Sequence, residues 1–150
     1  FAPKVETLIY KVDTRARCQS LESLILAEAA RKGQDPALVM GIAWVESRFR
    51  ADAVSSAGAI GLLQVMPSNR DGLGCGALDE PAANLACGLE VLRRFLAHYD
   101  GDIILALSAY NAGYRMPNNA RTDGTLPTNM RYVEKVLAAR SHYLREGCSR

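Results

Sequence analysis

The 150-residue sequence is poor in histidine, with two, and in tryptophan, with one, and its four cysteines include no Cys-x-x-Cys pair. His98 and His142 stand at no metal-ligand spacing from one another or from a cysteine, so no zinc site and no metal is expected. An excess of charge of one sign is also lacking. Eighteen Lys and Arg against sixteen Asp and Glu leave a net charge of +2, and the basic residues are scattered apart from pairs such as Arg31-Lys32 and Arg93-Arg94. No phosphate-binding stripe results, which argues against nucleic acid as a partner. Long hydrophobic runs are missing too. The apolar stretch from Ala37 to Val45 is roughly half of the ~20 residues that a membrane span needs. No charged segment, apolar run and cleavage site follow Phe1, so no signal peptide is legible.

What is present is an ordinary globular composition, 49% hydrophobic and 23% charged. The length suits one domain with a sizeable core, expected over residues 1–150 with its centre at about 20–145, and a monomer. Cys18, Cys75, Cys87 and Cys148 allow three disulfide pairings. Cys75–Cys87 would span a short Gly-rich loop, and Cys18–Cys148 would tie one end of the domain to the other. An even count beside loops and termini favours this oxidised set, in an exported, periplasmic or cell-envelope protein, over four buried thiols in the cytosol.

The pattern is helical almost throughout. Leu21, Leu24, Ile25 and Ala29 recur at helical spacing between Ser20 and Lys32, with Gly33 as the stop. Asp35-Pro36 is an N-cap followed by proline at the first helical position. The helix it opens, Pro36 to about Ser47, is apolar nearly all round, which predicts burial on most sides. Residues 52–66 read as turns with a small hairpin, and residues 69–79 as a glycine-rich loop. A helix from Glu80-Pro81 to about Tyr99 places Leu85, Leu89, Leu92 and Leu96 on one face. Asp102 caps the next, Ile103 to Asn111. Residues 112–127 hold Gly, Pro and Asn in quantity and predict an exposed loop. The last helix, about Thr128 to Arg145, has Tyr132, Val133, Val136, Leu137 and Leu144 as its inner face. There is no internal repeat, low-complexity segment or linker.

Three separated segments set polar residues among apolar ones: Glu46-Ser47, Gln64 within Gly61–Pro67, and Tyr110-Asn111-Ala112-Gly113. Val39, Ile42, Ala43 and Glu46 share one helical stripe, so the acid points with an apolar face. Burying a lone carboxylate raises its pKa, and an acid still protonated near neutrality can give a proton to a leaving oxygen. Asp52 is the only carboxylate close by in sequence, and it lies in the turn region, where solvation is expected.

In order and spacing these segments resemble the soluble lytic transglycosylase family, related in fold to goose-type lysozyme. The likeness rests on Glu46-Ser47, on Gly61-Leu62-Leu63-Gln64-Val65-Met66-Pro67 and on Ala109-Tyr110-Asn111-Ala112-Gly113, and covers roughly Ser20 to Tyr143. It implies a mainly α, lysozyme-like domain with a small irregular or β-hairpin segment beside an active-site cleft. It implies Glu46 as the sole catalytic acid/base, with Ser47, Ser55, Gln64, Met66, Tyr110, Asn111 and Tyr132 around the substrate, and no cofactor. The implied reaction cleaves the N-acetylmuramic acid–N-acetylglucosamine bond of peptidoglycan glycan strands and closes a 1,6-anhydro ring on the muramic acid. A hydrolytic muramidase and a non-catalytic glycan-binding module are the rivals, and a structural part in a wall-spanning secretion or conjugation apparatus is compatible with activity.

Each residue also has a purely structural reading. Glu46 could pair with Arg48 or Arg50, Ser55 could be a turn residue, and Gln64 could satisfy loop backbone groups. Met66, Tyr110 with Asn111, and Tyr132 could be packing or capping residues. Trp44 is assigned to packing. The sequence departs from the family pattern at Arg50-Ala51, where Asn-Pro is usual, at Leu63, where Met is usual, and at Thr128, where a glutamate is frequent. The last change removes a carboxylate from near the groove and bears on subsite preference.

Overall fold

A computed structural model describes residues 5–149 and is built of α-helices, in the order α1 (Val5–Arg31), α2 (Pro36–Ser47), α3 (Pro67–Leu73), α4 (Pro81–His98), α5 (Ile103–Ala112), α6 (Arg115–Asp123) and α7 (Met130–Glu146). α2 is the central element. Asp35 caps it, its Oδ1 accepting from Ala37 N at 3.0 Å and Leu38 N at 3.2 Å, while its Oδ2 holds Arg140 of α7 at 2.7 Å. Val39, Ile42 and Ala43 are at most 1% exposed. Gly41 lets α7 come close: a Cβ there would lie 2.8 Å from the Val136 carbonyl oxygen. α1 covers α2 from one side with Ile25 and Ala29, and α4 supplies Leu85 and Leu89 to the same core.

α2 ends abruptly. Arg48 and Phe49 both take left-handed backbone, at φ 52° and 61°, although neither is glycine. Such conformations persist only where the surroundings over-determine them. Here Phe49 is buried, its N–H reaches the Ala43 carbonyl, and Arg17 Nε donates to the Arg48 carbonyl at 3.1 Å. The chain is thereby turned back across the end of α2, where the next segment must pass.

Several expectations are corrected. α1 begins well before Ser20, because no Gly or Pro interrupts residues 4–32 and a breaker-free run propagates once its C-terminal half is packed. The predicted hairpin is reduced to two isolated antiparallel bridges, Val54 with Ile60 and Ile60 with Val65. The glycine-rich loop starts as α3, with Pro67 at its first position and Gly74 ending it in left-handed conformation. The predicted loop over 112–127 is mostly α6. Gly113 ends α5 and Gly124 ends α6, Pro117 lies in the first turn where proline is tolerated, and Pro117 and Ala120 are buried. Leu144 is not on the inner face of α7 but 60% exposed, whereas its neighbour Tyr143 is the residue that turns inward against the core.

Both disulfides pair as expected, Cys18–Cys148 between α1 and the chain after α7, and Cys75–Cys87 between the loop after α3 and α4. Among the described residues no helix is long and apolar enough to cross a membrane, and no cluster of His, Cys, Asp or Glu is arranged to hold a metal.

Candidate active site

The ends of α2 and α5 and the first turn of α7 converge on Glu46. The acid sits in the last turn of α2, half-buried, and forms no ion pair with any described residue. The expected rival partner Arg48 is engaged elsewhere, its guanidinium lying 3.4 Å from the centroid of the Trp44 ring. Burial raises the Glu46 pKa above the ordinary 4.5, and the Tyr132 hydroxyl, which faces the carboxylate, offsets part of that rise. Tyr132 Oη is buried without a well-formed hydrogen bond. Tyr110 and Tyr132 are both pushed well above the ordinary phenol range, by burial first and then by the Glu46 charge, so they stay protonated donors. Asp52 is exposed in the turn after α2.

The other polar residues hold the scaffold. Ser47 is 5% exposed, and its hydroxyl meets the Leu62 carbonyl at 2.7 Å and the Ala43 carbonyl at 3.2 Å. Expected as a substrate contact, it instead stitches the end of α2 to the 61–66 loop. Gln64 takes left-handed backbone at φ 52°, and its Nε2 donates to Ala53 O at 3.2 Å and Gly61 O at 3.0 Å. Tyr110 Oη donates to Leu63 O at 2.6 Å. Ser55 Oγ accepts from Ala59 N at 3.0 Å and so closes the turn that carries it. Gln64, Met66 and Tyr110 do line one small cleft of about 40 Å³, with Met66 37% exposed. Asn111 is exposed beside Tyr110, at the end of α5.

Sequence reasoning missed the residue that organises this loop. Asn84 of α4 is fully buried; its Oδ1 accepts from Leu63 N at 2.8 Å, and its Nδ2 donates to Ile60 O at 2.8 Å and Leu78 O at 2.7 Å. Gly61 is required beside it, since a Cβ there would collide with the Asn84 amide and the Leu78 carbonyl. The signal was present: Asn84 is a lone amide one residue before Leu85 on the apolar side of α4. Asn129 was missed as well. A larger open groove, about 330 Å³, lies along α6 and the following loop, between Arg115, Asn119, Asp123 and Thr128.

Residues 23–129 match the family model described as the transglycosylase SLT domain. The chain belongs to the SLT family. Among relatives of this SLT domain are a transglycosylase of Enterobacteria phage PRD1, 37% identical over 61% of this chain and 34% of the phage protein, and membrane-bound lytic murein transglycosylase C of Haemophilus influenzae, 33% identical over 83% of this chain and 41% of that protein. The SLT chain thus spans less than half of the length of either relative. In three dimensions it is similar to the lytic transglycosylase Slt of Pseudomonas aeruginosa, solved as an inactive glutamate-to-glutamine mutant, with a TM-score of 0.72 and 26% identity over 83% of this chain and 24% of that one. The 70 kDa soluble lytic transglycosylase of Escherichia coli shares the fold, with a TM-score of 0.64 and 23% identity over 77% of this chain and 23% of that one.

Proposed function

We propose that this chain is the catalytic domain of a peptidoglycan lytic transglycosylase, with Glu46 as its single acid/base. The observation that carries the reading is the state of Glu46: a carboxylate raised by burial, free of any ion pair, and faced by the protonated hydroxyl of Tyr132. The names of the relatives as murein transglycosylases support it, as does the inactivity of a glutamate-to-glutamine mutant in the Pseudomonas protein.

The usual glycosidase arrangement uses two carboxylates, one of them a base or nucleophile. Here Asp52 faces solvent, so the second role falls to the substrate. Glu46 gives its proton to the oxygen leaving from the N-acetylmuramic acid–N-acetylglucosamine bond, and the C1–O bond breaks. The acetamido oxygen of the muramic acid stabilises the positive charge developing at C1. Glu46, now a carboxylate, takes the proton of the 6-hydroxyl as that oxygen bonds to C1, which closes the 1,6-anhydro ring and returns the acid to its starting form. A half-buried site with a moderating phenol suits this cycle, because the pKa must be raised without being fixed at either extreme.

The two disulfides support a place outside the reducing cytosol, in the envelope where peptidoglycan lies. The test is mass spectrometry of purified peptidoglycan digested with the chain. The expected products carry 1,6-anhydro ends, lighter by one water than reducing ends. Reducing-end products would replace this reading with a hydrolytic muramidase, and intact glycan strands would replace it with a binding module.

A further inference from the structure

Asn129 stands immediately before α7, where a side chain of its type normally caps the helix, yet it makes no capping hydrogen bond there. Its amide is committed across the site instead. Nδ2 donates to the Ser108 carbonyl at 3.0 Å and to Asn111 Oδ1 at 3.1 Å, while Oδ1 accepts from the Ser108 hydroxyl at 2.5 Å. Ser108 is fully buried within α5, so this anchor is fixed.

The sense of the network follows from chemistry. A backbone carbonyl can only accept, so the end of Asn129 that meets Ser108 O must be the NH2 group. That group has a second proton, and what it meets on Asn111 must in turn be an oxygen. Asn111 therefore turns Oδ1 toward Asn129 and its own NH2 away from it, on the exposed end of α5 next to Tyr110. Asn129 stands three residues before Tyr132 and Asn111 directly follows Tyr110, the two tyrosines that sense the Glu46 charge.

We infer that Asn129 is a positioning residue, which reads the polarity of the Ser108 carbonyl and fixes the Asn111 amide with its two N–H donors toward an acceptor oxygen of the bound glycan. The acetamido carbonyl of an N-acetyl sugar has the required chemistry. The inference rests on Glu46 being the acid that acts on the bound glycan.

The experiment measures the affinity of soluble glycan strands, prepared from peptidoglycan stripped of stem peptides, for the full chain carrying Glu46→Gln. Asn111→Ala in that background is expected to weaken binding about fivefold, the size of one neutral hydrogen bond. Asn129→Ala is expected to weaken it about three- to fivefold. Combined with Asn111→Ala, Asn129→Ala should add less than about twofold, because it acts through Asn111. A purely structural role would give Asn129→Ala the same loss in both backgrounds, and that result overturns the inference. So does unchanged affinity in either single variant. The product assay is independent: strands that bind in the expected pattern but are released with reducing ends sink the transglycosylase reading and leave the role of Asn129 standing.

Discussion

The Ser47 hydroxyl and the Leu62 carbonyl are 2.7 Å apart, and this one bond joins the residue after the acid to the loop that passes beneath it. Replacing Ser47 with Ala leaves that buried carbonyl without its donor. The expected cost is about 1–3 kcal/mol, or roughly 3–10 °C in Tm at this chain length, read by thermal denaturation. A variant that melts within about 1 °C of the parent but shows a higher KM would make Ser47 a substrate contact instead.

Glu46→Gln should separate chemistry from stability. Activity is expected to fall about 10²–10⁴-fold, the usual contribution of a positioned general acid. Folding should not suffer. The Glu46 pKa is raised in the folded chain above the ordinary 4.5, so the stability carried by its protonated form is complete below that value and lost as pH rises through the raised one. The variant should therefore match the parent near pH 4 and exceed it in Tm above neutrality. A lower Tm at every pH would make Glu46 a structural residue.

Tyr132→Phe removes the hydroxyl that holds the Glu46 pKa down. The alkaline limb of the kcat/KM profile, where the acid loses its proton, should move to higher pH. Stability should change little at acid pH, where Glu46 is protonated, and fall modestly above neutrality, where the hydroxyl no longer supports the charged carboxylate. A limb that stays in place, or moves down, would remove Tyr132 from control of the acid.

The two disulfides should differ in weight. Cys18–Cys148 closes 130 residues and Cys75–Cys87 closes 12. In the chain-entropy picture the first contributes about 4–5 kcal/mol and the second about 3 kcal/mol. Calorimetry of the two double-serine variants should show the larger loss for Cys18→Ser with Cys148→Ser. The reverse order would mean that the end of α7 adds little once α2 is packed against it.

Much of this molecule was legible in the sequence wherever a local rule and the packing agree. Asp35-Pro36 and Asp102 announced α2 and α5, and both side chains accept from the backbone as such caps should. The stripe Val39, Ile42, Ala43, Glu46 announced a half-buried acid. The sequence misled where packing outvotes composition, as in α6, where Asn-rich polarity suggested a loop and two buried residues make a helix. It was also silent on the function of polar residues that point sideways. Gln64 and Ser55 admitted both a groove and a turn reading; their side chains spend hydrogen bonds on the turns that carry them, and Gln64 also lines the small cleft. Asn84 and Asn129 looked ordinary, because most of their partners, Ile60, Leu63, Ser108 and Asn111, lie on segments more than fifteen residues away.

The proton affinity of Glu46 comes from dryness rather than from a neighbouring charge. Ions in solution screen Coulomb attraction, but they do not restore the hydration that a side chain has given up. An acid tuned in this way is expected to keep its proton affinity from dilute buffer to brine.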